Sequence, residues 1–152
     1  MAEDGRDLTL SPPLTTDHLI RTRILPAWVD APRWDDPDTL AEQIDAALQQ
    51  YADEYRQYLD RHTGRMPDGV HAFPPTPAVV LLPGLGALCA GEDAKAAVIA
   101  RDITEQTLAA KCRIAEMGGT YEMVTEDHLF DMEYRPLQHA KLATRAVPAL
   151  FG

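Results

Sequence analysis

The densest group of chemically active side chains lies between residues 17 and 23. Asp17 and His18 are adjacent, and Arg21 and Arg23 follow within the same stretch. Two guanidinium groups can bind one phosphate through paired N–H donors, and a carboxylate beside an imidazole can orient it for proton transfer. These four residues are therefore our candidates for binding a phosphate or a substrate. The alternative, a capped turn whose arginines pair with local acids, is the more common use of such a cluster.

A metal site is the second chemistry that the sequence could support. Catalytic zinc usually takes three His or carboxylate ligands, with two of them close together in the chain. The histidines form no HxH or HxxxH pair; they are His18, His62, His71, His128 and His139. His128 with Glu133, or His18 with Asp17, could join a composite site, but isolated surface histidines are the commoner case. We therefore expect this chain alone to hold no metal.

Two further patterns resemble known sites only in part. Gly84-Leu85-Gly86 begins like the GxGxxG of dinucleotide-binding proteins, in which glycines let the backbone approach a pyrophosphate. The last glycine of that pattern would fall at Cys89, so we expect no nucleotide cofactor. Asp131 and Glu133 bring two carboxylates together, which is more typical of a solvated face than of an acid/base pair.

The clearest predicted element is a helix from about residue 37 to residue 62. Asp36 can cap this helix, and Pro37 suits its first turn. The apolar residues recur at spacings of three and four, so they form one stripe, which we interpret as core packing rather than an aromatic ligand box. The stripe comprises Leu40, Ile44, Ala47, Leu48, Tyr51, Tyr55, Tyr58 and Leu59.

The other patterns predict a small sheet packed with two long helices, which is the α/β (or α+β) class. The second long helix is expected from about residue 92 to 117, and its many apolar residues indicate burial on more than one side and hence a homo-oligomer. Cys89 and Cys112 are expected to be buried free thiols. Strands are expected at 27–29, 78–82 and 87–90, and short helices near 18–20, 125–128 and 136–142.

Composition limits the other function classes. The chain has 152 residues, of which 45% are hydrophobic and 25% charged, as is ordinary for one globular domain. Its net charge of −10 disfavours nucleic acid and anionic membranes as partners. The longest apolar runs are too short to cross a bilayer, and the acidic N-terminus does not resemble a signal peptide. We therefore expect a cytoplasmic protein.

The chain divides into three predicted parts. Residues 1–14 are polar and contain Pro12-Pro13, so they are expected to form a flexible arm. Residues 15–145 form the single folded module, and residues 146–152 form a C-terminal tail.

Several stretches together resemble one family, the bifunctional rhamnulose-1-phosphate aldolase/short-chain dehydrogenase proteins. Their order and spacing match across about residues 11 to 145. The resemblance implies that this chain corresponds to the region between the aldolase segment and the Rossmann dehydrogenase, with the fold of a degenerate class II aldolase-like half. The matching stretches are residues 16–23, 79–86, 94–107, 129–134 and 140–142.

The strand–turn–strand–helix from Val79 onward also resembles the part of class II aldolases that presents a zinc histidine in a His-Gly pair. Leu85-Gly86 occupies that place here, and leucine has no lone pair to donate. The resemblance therefore implies a non-catalytic structural or interaction module, or a split subunit, in rhamnose catabolism. Zinc would belong to a complete aldolase assembly, and the partner would be a second copy or an aldolase/dehydrogenase chain.

The alternative is a metal-dependent class II aldolase (lyase) subunit that binds a phosphosugar. It would use His18, Arg21 and Arg23, with a metal shared across subunits. The charged cluster at residues 17–23 is the feature that favours this alternative.

Overall fold

A computed structural model describes the backbone of residues 2–143 and the side chains of residues 6–142. Helices outnumber strands over this part of the chain. Three segments, β1 to β3, are strands: Ala27–Trp28, Val79–Leu82 and Gly86–Cys89. The α-helices α1 to α6 are Ala2–Thr9, Thr16–Thr22, Pro37–Arg61, Ala94–Glu116, Glu126–Glu133 and Pro136–Ala143, and a 3-10 turn covers Thr63–Arg65.

The strands form one small sheet in the order β1-β2-β3. β1 runs parallel to β2, with Ala27 opposite Val80, and β3 is antiparallel to β2, with Leu82 opposite Gly86. The tight connection between β2 and β3 needs positive φ angles, which glycine adopts readily, and Gly84 has a φ of 87°. The predicted strands and the α/β class with a small sheet are therefore confirmed.

Helix α3 confirms the helix predicted over residues 37–62. The Asp36 side chain accepts a hydrogen bond from the Thr39 backbone N–H, and Pro37 occupies the first turn. The tyrosines of the predicted stripe are buried against α5, so the stripe packs in the core as expected. The main core cluster contains Leu19, Ile24, Ala27, Tyr51, Tyr55, Tyr58, Leu129, Phe130 and Tyr134.

Helix α4 begins and ends as predicted but buries only one face. Asp93 caps its N-terminus, and Gly118, with a φ of 72°, follows its C-terminus. The buried positions are Ala100, Thr104, Thr107 and Lys111, a single stripe at spacings of four and three. The prediction that α4 is buried on more than one side was therefore wrong. Many of its apolar residues are alanines, which favour a helix without needing burial. The prediction of an oligomer loses that support.

The N-terminal residues contain a helix, and the residues after it contact α4 and Tyr121. The double proline predicted a loose arm over 1–14, whereas α1 is helical and the side chains of Ser11 and Pro12 are buried. The Lys111 ammonium donates to the Ser11 carbonyl oxygen at 2.7 Å, and the Tyr121 hydroxyl donates to the Pro12 carbonyl oxygen at 3.0 Å. The mobility of this arm and the module boundaries at 15 and 145 stay predictions, and the tail at 146–152 lies outside the described residues.

The two cysteines differ in environment. Both are free, Cys89 is partly buried on β3, and Cys112 is exposed on α4. The prediction that Cys112 is buried was therefore wrong. Cys112 follows the buried Lys111 by one residue, and one step along a helix rotates the side-chain direction by about 100°. Over the same described stretch, none of the helices has the length and apolar content needed to cross a membrane.

Candidate functional site

An open cleft of about 350 Å³ lies where α2 meets the N-terminus of α4. Arg21 and Arg23 from α2 and its C-cap line this cleft together with Lys95 from the first turn of α4. Glu92 and Asp93 also line it, so the cleft carries both signs of charge. Two of the four predicted binding residues are thus brought together, and they are joined by a lysine 72 residues further along the chain.

Packing fixes the position of Arg23 in the cleft. Its backbone has a φ of 66°, and its guanidinium group lies 3.9 Å from the centroid of the Phe73 ring. One terminal nitrogen donates to the Ile20 carbonyl oxygen at 3.2 Å. A guanidinium stacked on an aromatic ring and bonded to a helix carbonyl loses little further freedom when it binds a ligand.

The other wall of the cleft depends on a close approach at Gly91. A Cβ atom at this glycine would lie only 2.5 Å from the backbone nitrogen of Ala97. The loop can therefore fold tightly over the first turn of α4, where the Asp93 side chain accepts from the Ala96 N–H at 2.7 Å. The same turn presents Lys95 to the cleft.

Asp17 and His18 are placed elsewhere. The Asp17 carboxylate accepts from the Gln138 amide at 2.8 Å and from the Lys141 ammonium at 3.2 Å, and these bonds lower its pKa. Asp17 therefore joins α2 to α6. The Nδ1 atom of His18 is buried without a hydrogen-bond partner among the described residues, and burial lowers the pKa of the ring. Neither residue lines the cleft that holds Arg21 and Arg23.

Glu133 carries a carboxyl group whose burial the sequence analysis missed. Its side chain is fully buried, and its Oε1 atom accepts from the Tyr55 hydroxyl at 3.3 Å. Burial raises its pKa to about 7. The solvated face predicted for this segment is right for Asp131, which is exposed and paired with Arg65, but wrong for Glu133. Helical spacing carried the signal, since Glu133 follows the buried Phe130 by three residues.

His62 is the second buried polar group, and it links α3 to α5. Its Nδ1 atom lies 2.9 Å from the Tyr58 carbonyl oxygen, and its Nε2 atom lies 3.1 Å from the Asp127 carboxylate. Both neighbours are acceptors, so a ring nitrogen that carries a proton can donate to the one beside it. The ring also stacks on Phe130, with centroids 4.8 Å apart. The expectation of isolated surface histidines is therefore wrong for this residue.

The residues near the β2–β3 turn do not fit a zinc ion. Leu85 stands there with 66% of its surface exposed, and its side chain has no donor atom. Among the described residues, no three His, Cys, Asp or Glu side chains are grouped so that they could hold a metal. His128 and Glu133, considered together above as possible ligands, are engaged separately, because His128 Nδ1 bonds to the Thr125 hydroxyl at 2.7 Å.

Comparison with known proteins gives one family and one distant relative. The family model for "Aldolase class II, second domain" matches residues 1–142. A Bacillus subtilis (strain 168) protein named "Uncharacterized oxidoreductase YuxG" is 27% identical over 137 residues. That alignment covers 90% of this chain and 19% of the relative, so the chain spans about a fifth of the relative's length. No solved structure matches the chain significantly.

Proposed function

This chain belongs to the family of class II aldolase second domains, and from that membership we propose that it is a non-catalytic module of a longer sugar-phosphate enzyme. The longer enzyme would be a bifunctional rhamnulose-1-phosphate aldolase/short-chain dehydrogenase of rhamnose catabolism. The name and length of the relative support this proposal, since an oxidoreductase about five times the matched length leaves room for two catalytic units.

The side chain of Leu85 carries the proposal. Class II aldol cleavage requires a Lewis acid that stabilises the developing enediolate, and in proteins of this type zinc supplies it. Leu85 occupies the turn where the zinc histidine is expected, and no alternative group of donors lies within the described residues. The metal of a complete assembly would therefore be bound by another segment or another chain.

The edge of the sheet supports a role in interaction. β3 is an edge strand of the sheet, and one of its sides pairs with β2. Leu85 and Leu88 are 66% and 53% exposed beside this edge. An unpaired strand edge flanked by exposed leucines is a surface that proteins usually cover. We expect the aldolase or dehydrogenase part of the longer enzyme, or a second copy of this chain, to cover it.

An aldolase assay tests the non-catalytic proposal. The purified chain is incubated with rhamnulose 1-phosphate and zinc, and release of the cleavage products is measured against a chelator-treated sample. We expect no turnover above the blank. Zinc-dependent cleavage that disappears with the chelator would overturn the proposal. A complete bifunctional family member, assayed in parallel, verifies that the substrate and the detection work.

A second candidate function is phosphosugar binding in the cleft between α2 and α4. The observation that favours it is the convergence of Arg21, Arg23 and Lys95 on one cleft of about 350 Å³. Guanidinium groups are well suited to phosphate because they donate two parallel hydrogen bonds. Calorimetric titration with rhamnulose 1-phosphate should detect binding that the Arg21→Ala/Arg23→Ala double variant loses.

The matched control for this titration is Arg101→Ala. Arg101 is exposed on α4 and paired with Asp102 outside the cleft, so its loss changes the net charge but not the cleft. Equal binding by the double variant and by Arg101→Ala would remove the basis of the second candidate.

A further inference from the structure

Lys111 is a buried cation without an acidic partner. Its side chain is 1% exposed, and its ammonium group donates to the Ser11 carbonyl oxygen at 2.7 Å. An ammonium has three N–H donors, so this bond leaves two of them available. Burial is the cause of its lowered pKa of about 8, and no described carboxylate forms a salt bridge with it. The Tyr121 ring centroid lies 5.1 Å from the ammonium nitrogen, and a ring at this distance offsets only part of the cost of burying the charge, which an ion of opposite charge would offset more fully.

A small cavity of about 40 Å³ lies beside Lys111, beneath residues 9–13. Thr107 and Arg23 also line it, and the Thr107 hydroxyl and the Arg23 Nε atom are buried without hydrogen-bond partners among the described residues. Much of the remaining wall is apolar, with Val79 and Leu81 from β2. Three hydrogen-bond donors thus border one small cavity.

None of the neighbouring hydroxyl groups that the structure describes forms a hydrogen bond with the Thr107 hydroxyl or the Arg23 Nε atom. Ser11, Thr22 and Thr104 also line the cavity, and each hydroxyl donates to a backbone carbonyl of its own segment. A guanidinium Nε–H can only donate, so its missing partner must be an acceptor. The buried Glu133 carboxyl group, whose pKa the charge of Arg23 helps to lower, still has a pKa of about 7 and is partly protonated at neutral pH.

We propose that this cavity binds one halide-sized monovalent anion, such as chloride, between Lys111, Thr107 and Arg23. An anion accepts from all three donors and compensates the buried ammonium, whereas a water molecule accepts but leaves the charge uncompensated. The cavity volume of about 40 Å³ exceeds the roughly 10–15 Å³ that one water molecule needs, so the cavity has room for a halide ion. The bound ion would fasten residues 9–13 to α4.

Thermal unfolding in matched salts gives the first test. The probe is sodium chloride, compared with sodium gluconate at equal ionic strength, because gluconate is too large for the cavity. We expect Tm to rise with the logarithm of the chloride concentration once chloride exceeds its Kd, by about 4 °C at a tenfold excess. Thr107→Val removes one donor with little change in volume and should abolish most of that rise. Arg101→Ala is the control, since Arg101 is an exposed cation outside both this cavity and the cleft.

Crystals grown in sodium bromide give the second test, which does not depend on stability. An anomalous bromide peak in contact with Lys111 Nζ supports the proposal. Density that refines only as water, without an anomalous peak, overturns it. A chloride-dependent rise in Tm that is unchanged in Thr107→Val also overturns it. Lys111→Met, where it folds, should show neither the peak nor the rise.

Discussion

The hydroxyl oxygen of Tyr55 lies 3.3 Å from Oε1 of Glu133, although 78 residues separate the two in the chain. This hydrogen bond crosses the core from α3 to α5. The second carboxyl oxygen of Glu133 is buried without a hydrogen-bond partner among the described residues. A carboxyl group with one satisfied oxygen and no water contact is more stable protonated than ionised, and its pKa is raised to about 7 for this reason.

The first prediction is that the free energy of unfolding depends on pH because the Glu133 carboxyl group has a raised pKa. The folded protein retains the Glu133 proton up to about pH 7, whereas the unfolded chain releases it near pH 4.5. Between these values the folded state binds more protons, so its free energy of unfolding falls as pH rises. The stabilisation is complete below about pH 4.5 and is lost above about pH 7. The raised pKa corresponds to about 3 kcal/mol, which urea unfolding at several pH values can measure.

Glu133→Gln tests this assignment, because glutamine is neutral at every pH and retains the acceptor for Tyr55. We expect the variant to lose the decline between pH 4.5 and 7 and to exceed the parent in stability at pH 8. Asp131→Asn, an exposed carboxylate two residues away, is the control and should retain the decline. An equal decline in the parent and in Glu133→Gln would mean that other groups cause it.

Local signals made most of the secondary structure predictable. Asp36 and Asp93 precede helices and cap them, and Gly118 follows α4, so each boundary depends on a few adjacent residues. The strands were identified for the same reason, because β-branched and aliphatic residues are concentrated between turn residues. Helix caps and strand composition are local signals, because each depends on residues within one helical turn or one pair of strands.

The candidate sites depended on contacts between distant segments. Arg21 and Arg23 were identified from their residue types, but Lys95 joins them only through the packing of α2 against α4. Lys111 gave no sequence signal, because a lysine on a helix is normally exposed. It is buried here because residues 9–13, predicted to be loose, cover it. Both lysines are polar groups whose surroundings are decided by a segment remote in sequence.

The second prediction concerns His62, which should contribute to stability through burial rather than through its ion pair. His62→Ala removes a ring that is 4% exposed, stacks on Phe130 and has an acceptor within hydrogen-bonding distance of each nitrogen. We expect a loss of about 3 kcal/mol in the free energy of unfolding, measured by urea denaturation. Asp127→Asn, at a 60% exposed position, should lose less than about 1 kcal/mol. Equal losses would show that the ion pair dominates.

The third prediction concerns the two thiols, which should differ in reactivity. Burial raises the pKa of Cys89, whereas Cys112 is exposed on α4. Because the thiolate is the reactive form, Cys112 should react with a disulfide reagent about tenfold faster at pH 8. Rates measured on Cys89→Ser and Cys112→Ser separate the two. In urea the rates should converge, and a persistent difference there would point to local sequence rather than burial.

The fourth prediction concerns Gly91, where an added methyl group should damage both the fold and the cleft. A Cβ atom would lie 2.5 Å from the Ala97 nitrogen and 2.6 Å from the Ala96 Cβ atom, so the loop would have to move off α4. We expect Gly91→Ala to lose about 1–3 kcal/mol in urea unfolding and to bind phosphate more weakly, because Gly91 and Lys95 line the same cleft. Gly64→Ala, whose Cβ meets nothing within 4 Å, is the matched control. If both variants are equally stable, the loop adapts freely and the close approach does not determine the shape of the cleft.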